Sequence, residues 1–361
     1  MLSRRTFTLA GLAWTTAGCG LGPGIETARL GFLSAHSRLE EAARKEGTLR
    51  IDAATGLIGA ENLLDSFKRL YPGITIDYRR APSTEIHANF LQEASAGQTT
   101  ADILISSAMD LQFKLINDGC ALTYESPAKP YLPEWAVWKD QAYAVTAEPL
   151  VFAYNKVLMP PEDVPRSHDA LADLLRRKPD QYRGKIASYD PERSGTGYLY
   201  YTQDLLLSRD TLDLVQAVGR TQPSFYDTGG DARDRISTGE HLLAYNMVHS
   251  YMIWRRAEHP DIGIVFPSDY TLLASRFAFI PETGRHPAAG KLFLDFLLSE
   301  FGQALMASQH MQPVRIGIQT STPAPSPEVL RPIHFGPSLL ANLDQYRRRR
   351  VLHEWRRALY S

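Results

Sequence analysis

Residues 190–204 read DPERSGTGYLYYTQD, a Ser-Gly-Thr-Gly turn running into aromatic and apolar residues. Three chemistries use such a turn. A serine at a sharp bend is a nucleophile, closely spaced glycines cradle a nucleotide phosphate, and the open N–H groups of a helix start hold an anion with no reaction at all. The first needs Gly-x-Ser-x-Gly, but Glu192 and Thr196 occupy the flanking positions of Ser194. A phosphate loop needs Gly, four residues, then Gly-Lys-Ser/Thr. The nearest text, GRHPAAGKL (284–292), has five intervening residues and Leu292 after the lysine. A dinucleotide fingerprint fails at Tyr200, where the third glycine belongs.

Metal and acid–base chemistry find no better footing. The ten histidines include no HExxH, and His241 and His249 stand eight apart. No nucleophile, base and orienter come together, and no cofactor motif, catalytic set or metal-ligand set emerges. What the turn offers is anion binding: unsatisfied N–H groups, two hydroxyls and the positive end of a helix dipole. A simple N-cap by Ser194 or Thr196 accounts for the same residues equally well.

Positioning such a turn requires a strand before it and a helix after it. KIASYD (185–190) supplies the strand. The same order recurs along the chain. GTLRIDAAT (47–55) reads as a strand and AENLLDSFKRLYPG (60–73) as a helix with Leu63, Leu64, Phe67 and Leu70 on one face. ITIDYR (74–79) reads as a strand, TEIHANFLQEASAG (84–97) as a helix and ADILISS (101–107) as a buried strand. YAVTAEPLVFAYNK (143–156) predicts a long strand, GIVFPSDYTLLASRFAFIP (263–281) strands crossing between two blocks, and KLFLDFLLSEFGQALMAS (291–308) one amphipathic helix. This alternation predicts an α/β fold of two blocks with a cleft between them, where ligands meet the carboxyl ends of strands. Four small polar loops stand at such ends: 54–56, 106–109, 193–197 and 227–230.

The chain of 361 residues is 44% hydrophobic and 22% charged, with formal charge −1, which suits about two soluble domains and gives no field to recruit nucleic acid. Residues 1–20 have Arg4 and Arg5, an apolar stretch and then small residues, the layout of an export signal. Ser3-Arg4-Arg5-Thr6-Phe7 suits either twin-arginine or general secretion. Thr16-Ala17-Gly18-Cys19 is similar to a lipoprotein box whose leading leucine is Thr16; cleavage nearby without lipidation is the alternative. With Cys19 removed or lipidated, Cys120 has no disulfide partner and reads as a small buried hydrophobe.

These segments, with LVFAYNK, YRGKIASYDPERSGTGY, TGEHLLAYNMVHSY and HPAAGKLFLDFLLSEFGQALMA in that order, resemble the periplasmic solute-binding proteins of ABC importers, in the ferric-iron-binding-protein-like group. The resemblance covers about residues 47–312. It implies the type II two-lobed fold, each lobe a mixed sheet flanked by helices, hinged by crossing strands and closing on a ligand. Lobe one would be 47–148 with 267–361, and lobe two 149–266. The implied ligand contacts are Thr55, Ser106 and Ser107 in the first lobe. In the second they are Ser194, Gly195, Thr196, Gly197 and Tyr198, followed by Thr228, Asn246 and Tyr251. Ferric binders of the group carry an adjacent tyrosine pair after the asparagine-containing strand, whereas this segment has Tyr251 alone. The hydroxyl- and glycine-rich loops suit a phosphate- or phosphonate-bearing organic anion, with ferric ion the alternative. Tyr200-Tyr201 falls to the helix core.

The implied role is a non-enzymatic, monomeric binding protein that delivers its ligand to an ABC permease. The tail GPSLLANLDQYRRRRVLHEWRRAL also resembles members that partner membrane histidine kinases. Otherwise it reads as a solvated basic helix packed on lobe one by Leu339, Leu340, Leu343 and Leu352.

Overall fold

The structure, a computed structural model, describes residues 37–54, 60–254 and 258–361. The export signal, Cys19 and Thr55 lie outside the described residues. Two mixed sheets organise the rest. In the first lobe the order is β2-β1-β3-β12-β5-β4: β1 (Thr48–Ala54), β2 (Thr75–Ala81) and β3 (Ile103–Ser106) run parallel, and β4 (Val137–Trp138), β5 (Ala142–Ala144) and β12 (Phe277–Phe279) are antiparallel. Helices α1 (Ser37–Glu46), α2 (Ala60–Leu70), α3 (Ser83–Ser95) and α4 (Met109–Asn117) cover it. The apolar stripe of α2 does what its spacing predicts. Leu63, Leu64 and Phe67 are buried, and the Phe67 ring lies 5.1 and 5.4 Å from those of Phe293 and Phe296.

The second sheet has the order β13-β11-β6-β9-β7-β8, with β10 (Ile262–Val265) also on β6. Its strands are β6 (Glu148–Asn155), β7 (Ile186–Tyr189), β8 (Ser224–Tyr226), β9 (Leu243–Val248), β11 (Thr271–Ala274) and β13 (Leu330–Pro332). Its helices are α5 (His168–Arg177), α6 (Gly195–Leu207), α7 (Thr211–Gly219), α8 (Gly229–Ser237) and α9 (His249–Ile253). The expected long strand 143–156 divides at residues 145–147, leaving β5 in the first sheet and β6 in the second. β11 and β12 divide likewise at Ser275-Arg276. These two connections are the crossing strands.

Two expectations need correction. The helix expected over 291–308 is two, α10 (Pro287–Leu298) and α11 (Glu300–Ser308). Ser299 ends the first and caps the second: its hydroxyl donates to Phe296 O at 2.7 Å and accepts from Gly302 N at 2.9 Å. This local capping outcompetes an unbroken apolar face.

The tail, expected on the first lobe, spans both. A 3-10 segment, Pro337–Leu343, packs on α4, and buried Leu339 joins the first-lobe core. β13 instead pairs with β11 in the second sheet, and α12 (Gln345–Leu359) packs on α7 through Val351, Trp355 and Leu359. Leu352, expected on lobe one, is half-buried in that same second-lobe cluster. Cys120 is likewise half-buried against the core.

Candidate ligand-binding site

Three helices begin at the carboxyl ends of strands on the facing sides of the two lobes, the two in the second lobe with a side-chain cap. After β3, Ser106 Oγ accepts from Ala108 N at 3.1 Å, turning the chain into α4. After β7, Asp190 O accepts from Ser194 N at 2.8 Å, and Ser194 Oγ accepts from Gly197 N at 3.2 Å as the N-cap of α6. The Ser194 and Thr196 hydroxyls lie 2.9 Å apart. After β8, Thr228 caps α8, accepting from Asp231 N at 3.3 Å and donating to Asp231 Oδ2 at 2.7 Å. The leading N–H groups of such helices find no partner within them, and each start carries about half a positive charge.

Close approach requires the glycines. A Cβ on Gly195 would stand 3.0 Å from Ser83 Oγ and 3.5 Å from Ala108 Cβ, so the second-lobe helix meets the starts of α3 and α4 across the cleft. On Gly197 it would be 2.7 Å from Asp190 O, and on Gly229 2.6 Å from the Tyr189 hydroxyl and 3.5 Å from Tyr251 Cβ. Tyr189 therefore ties the starts of α6 and α8 together.

Behind these helix starts lies a buried charge pair. Arg276, 3% exposed, sits on the β11–β12 crossing, where pairing of Phe277 with Ser106 brings it to the level of Ser107. Its guanidinium donates to Glu148 on the other crossing strand and to Tyr251, whose ring centroid lies 5.5 Å away. Burial pulls the Arg276 pKa down, but Glu148 and Tyr251 outweigh it, so the guanidinium stays charged. Thr146 Oγ1 accepts from Arg276 N at 3.2 Å and fixes the crossing. Tyr200 is buried beside Tyr189 at 5.8 Å, and burial pushes its phenol well above the ordinary range. At the start of α4, burial raises buried Asp110 to about 6.

The structure thus brings together the neighbourhoods of Ser106, Ser107, Ser194, Gly195, Thr196, Gly197, Thr228 and Tyr251. Two expected residues point elsewhere. Tyr198 is fully buried under α12, with the Arg348 guanidinium 4.1 Å from its ring centroid. Asn246, at φ +57°, donates its amide to buried Asp204, which also accepts from Tyr245 and Tyr270. The adjacent tyrosines divide: Tyr200 belongs to the core beneath the cleft, and Tyr201 to the cluster under α12. Arg276, Glu148 and Tyr189 escaped sequence reasoning. A signal existed, because Arg276 is the single charge in TLLASRFAFI, and a charge inside an apolar strand is kept only when paired.

The model of the bacterial extracellular solute-binding protein family matches residues 62–330. The chain belongs to this family. Such binding proteins work outside the cytoplasmic membrane with ABC permeases and carry small solutes, typically without catalysing a reaction. The substrate-binding protein of an ABC transporter from Agrobacterium tumefaciens is 34% identical, with TM-score 0.82, covering 87% of this chain and 96% of that one. Iron-bound HitA from Pseudomonas aeruginosa is 19% identical, with TM-score 0.70 and coverage of 86% and 99%. AfuA from Actinobacillus pleuropneumoniae, solved with fructose-6-phosphate, is 20% identical, with TM-score 0.71 and coverage of 87% and 98%. These two share the two-lobed fold. Among curated proteins none matches.

Proposed function

We propose that this binding protein captures a small organic anion bearing phosphate or phosphonate between its lobes and delivers it to an ABC importer. The observation that carries this reading is the convergence of three helix starts, α4, α6 and α8, in front of the buried Arg276 guanidinium. Backbone N–H groups and helix dipoles favour an oxyanion, and a water-poor cleft strengthens each hydrogen bond. The anion contacts are the N–H groups of Gly195 and Thr196, the Thr196 hydroxyl, the Ser107 turn and the start of α8 at Gly229. Ser194 serves them indirectly, by capping α6. Ligand that touches both lobes favours the closed arrangement, in which Gly195 meets Ser83 and Ala108.

AfuA, whose structure holds a sugar phosphate, supplies a precedent within the fold. HitA, whose structure holds iron, marks the alternative, for which this chain offers Tyr251 without an adjacent tyrosine. A thermal-shift screen of the mature protein against phosphorylated metabolites, phosphonates and ferric citrate decides between them. Stabilisation by organic phosphates or phosphonates is expected. Stabilisation by ferric citrate alone, with a tyrosinate charge-transfer colour, overturns the reading.

A further inference from the structure

The last helix carries a concentration of charge that neither the fold nor the cleft uses. Residues 345–361 hold six arginines and one acid, Glu354, in a chain whose formal charge is −1. One face of α12 is occupied: Val351, Trp355 and Leu359 are buried against the second lobe. Two arginines also turn inward. Arg348 lies over the Tyr198 ring and donates to Glu192 O at 3.3 Å, and Arg356 pairs with the Glu192 carboxylate. The opposite face, at the three- and four-residue spacing of a single helical stripe, consists of Tyr346, Arg350, His353, Arg357 and Tyr360, with Arg349 beside it. All six are exposed. Among the described residues Arg349 and Arg357 make no ion pair, and Arg350 meets only Glu354, at 3.8 Å.

The tyrosines sharpen the requirement. At 77% and 81% exposed, Tyr346 and Tyr360 are the two most exposed large hydrophobic side chains among the described residues. They bracket the arginines on one face, about 21 Å apart along the axis at a rise of about 1.5 Å per residue. A tyrosine has an apolar body and a polar tip, which suits the boundary of a bilayer, and arginines suit the phosphates of its head groups. The family works beside the membrane that holds its permeases. We propose that the outer face of α12 docks the second lobe on the head groups of anionic lipids. Helices that lie on a bilayer combine basic and aromatic residues in this way and bind through attraction to anionic lipid. An acidic polypeptide answers the arginines but gives the paired tyrosines no apolar boundary. Because Trp355 already anchors a folded α12, docking orders no new segment. The surface is independent of the cleft and of the solute that fills it.

Sedimentation of the ligand-free mature protein, residues 21–361, with lipid vesicles tests this, since neither the export signal nor a lipid on Cys19 then contributes. Vesicles of phosphatidylglycerol and phosphatidylcholine in equal parts are compared with phosphatidylcholine alone. The protein is expected to bind the anionic vesicles at least about tenfold more tightly and to leave them at high salt, where charges are screened. Arg350→Ala combined with Arg357→Ala is expected to weaken binding about twenty-fivefold, or about fivefold for each arginine near the surface. Tyr346→Ala combined with Tyr360→Ala is expected to weaken it without a change of charge. All four side chains are exposed, so both variants should keep the wild-type urea midpoint. Equal binding to the two vesicle types, binding to neither, or binding undiminished in either variant overturns the inference. Capture by immobilised polyglutamate without vesicle binding also overturns it, and assigns the face to an acidic protein partner. If a variant does not fold, the comparison of the two vesicle types with the wild type decides.

Discussion

Gly195 of the second lobe and Ser83 of the first face each other so closely that a Cβ on the glycine would lie 3.0 Å from the serine hydroxyl. Lobe closure therefore depends on a residue with no side chain at the first position of α6. Gly195→Val is expected to hold the cleft ajar and weaken ligand affinity by about 1–3 kcal/mol, the usual cost of overpacking. Its melting temperature without ligand should stay near that of the wild type, since the nearest neighbours of the added side chain, Ser83, Leu111 and Ala108, all lie across the cleft and α6 keeps its Ser194 cap. Calorimetry gives the affinity, and small-angle scattering with ligand shows whether the envelope still contracts. Full contraction would refute the steric account.

Thr196→Val removes one hydroxyl at the anion while keeping shape and the Ser194 cap. Affinity is expected to fall by about 1–2 kcal/mol with stability nearly unchanged. Unchanged affinity with reduced stability would mean that the Ser194–Thr196 contact, 2.9 Å long, serves the helix cap and not the ligand.

Asp110 makes stability depend on pH in a defined direction. Burial lifts its carboxyl from 3.8 to about 6, so the native state binds the proton more tightly than the unfolded chain. Its contribution favours folding below pH 3.8 and is lost as pH rises to about 6. Asp110→Asn keeps an oxygen for Leu111 N, which now donates to Asp110 Oδ1 at 2.9 Å. The variant is expected to gain on the order of 3 kcal/mol relative to the wild type between pH 3.5 and pH 7. Parallel melting curves across that range check it, and curves with a constant offset would rule it out.

The tail invites a paired test. Trp355 is buried against the second lobe, its ring 5.3 Å from that of Phe225. Trp355→Ala is expected to cost about 3–5 kcal/mol, the range for emptying a large aromatic site. Arg356 also reaches the second lobe, pairing with Glu192, but its side chain is 54% exposed. Arg356→Ala is expected to stay within about 1 kcal/mol of the wild type. Urea denaturation ranks the two, and the reverse order would show that charge and not burial docks α12.

Much of this architecture was legible because periodic burial leaves a trace. Leu63, Leu64 and Phe67 announce α2, and the glycines of 193–197 announce a strand-to-helix turn. Capping chemistry is subtler: Ser299 breaks an apolar face that reads as continuous until its two hydrogen bonds are seen. The site was half legible. Small polar loops mark strand ends, but the tertiary partners of a side chain leave no local signature. Nothing next to Asn246 in the chain foretells Asp204, 42 residues away, and nothing beside Tyr198 foretells Arg348. Arg276 and Glu148 pair across 128 residues, a distance that only the folded crossing strands remove.

The tail returns across the hinge after the crossing strands have been laid down. Phe335 stacks on Phe277 of the first lobe at 3.8 Å, Asn342 donates to Thr202 of α6 at 3.0 Å, and Leu359 closes on Gly219 of the second lobe. Two backbone connections alone leave a hinge free to swing. A third one, gripping both halves by packing, acts as a spring with a preferred length. Substitutions in residues 330–359 are then expected to change how wide the mouth stands before anything enters it, a width that small-angle scattering of the ligand-free protein reads.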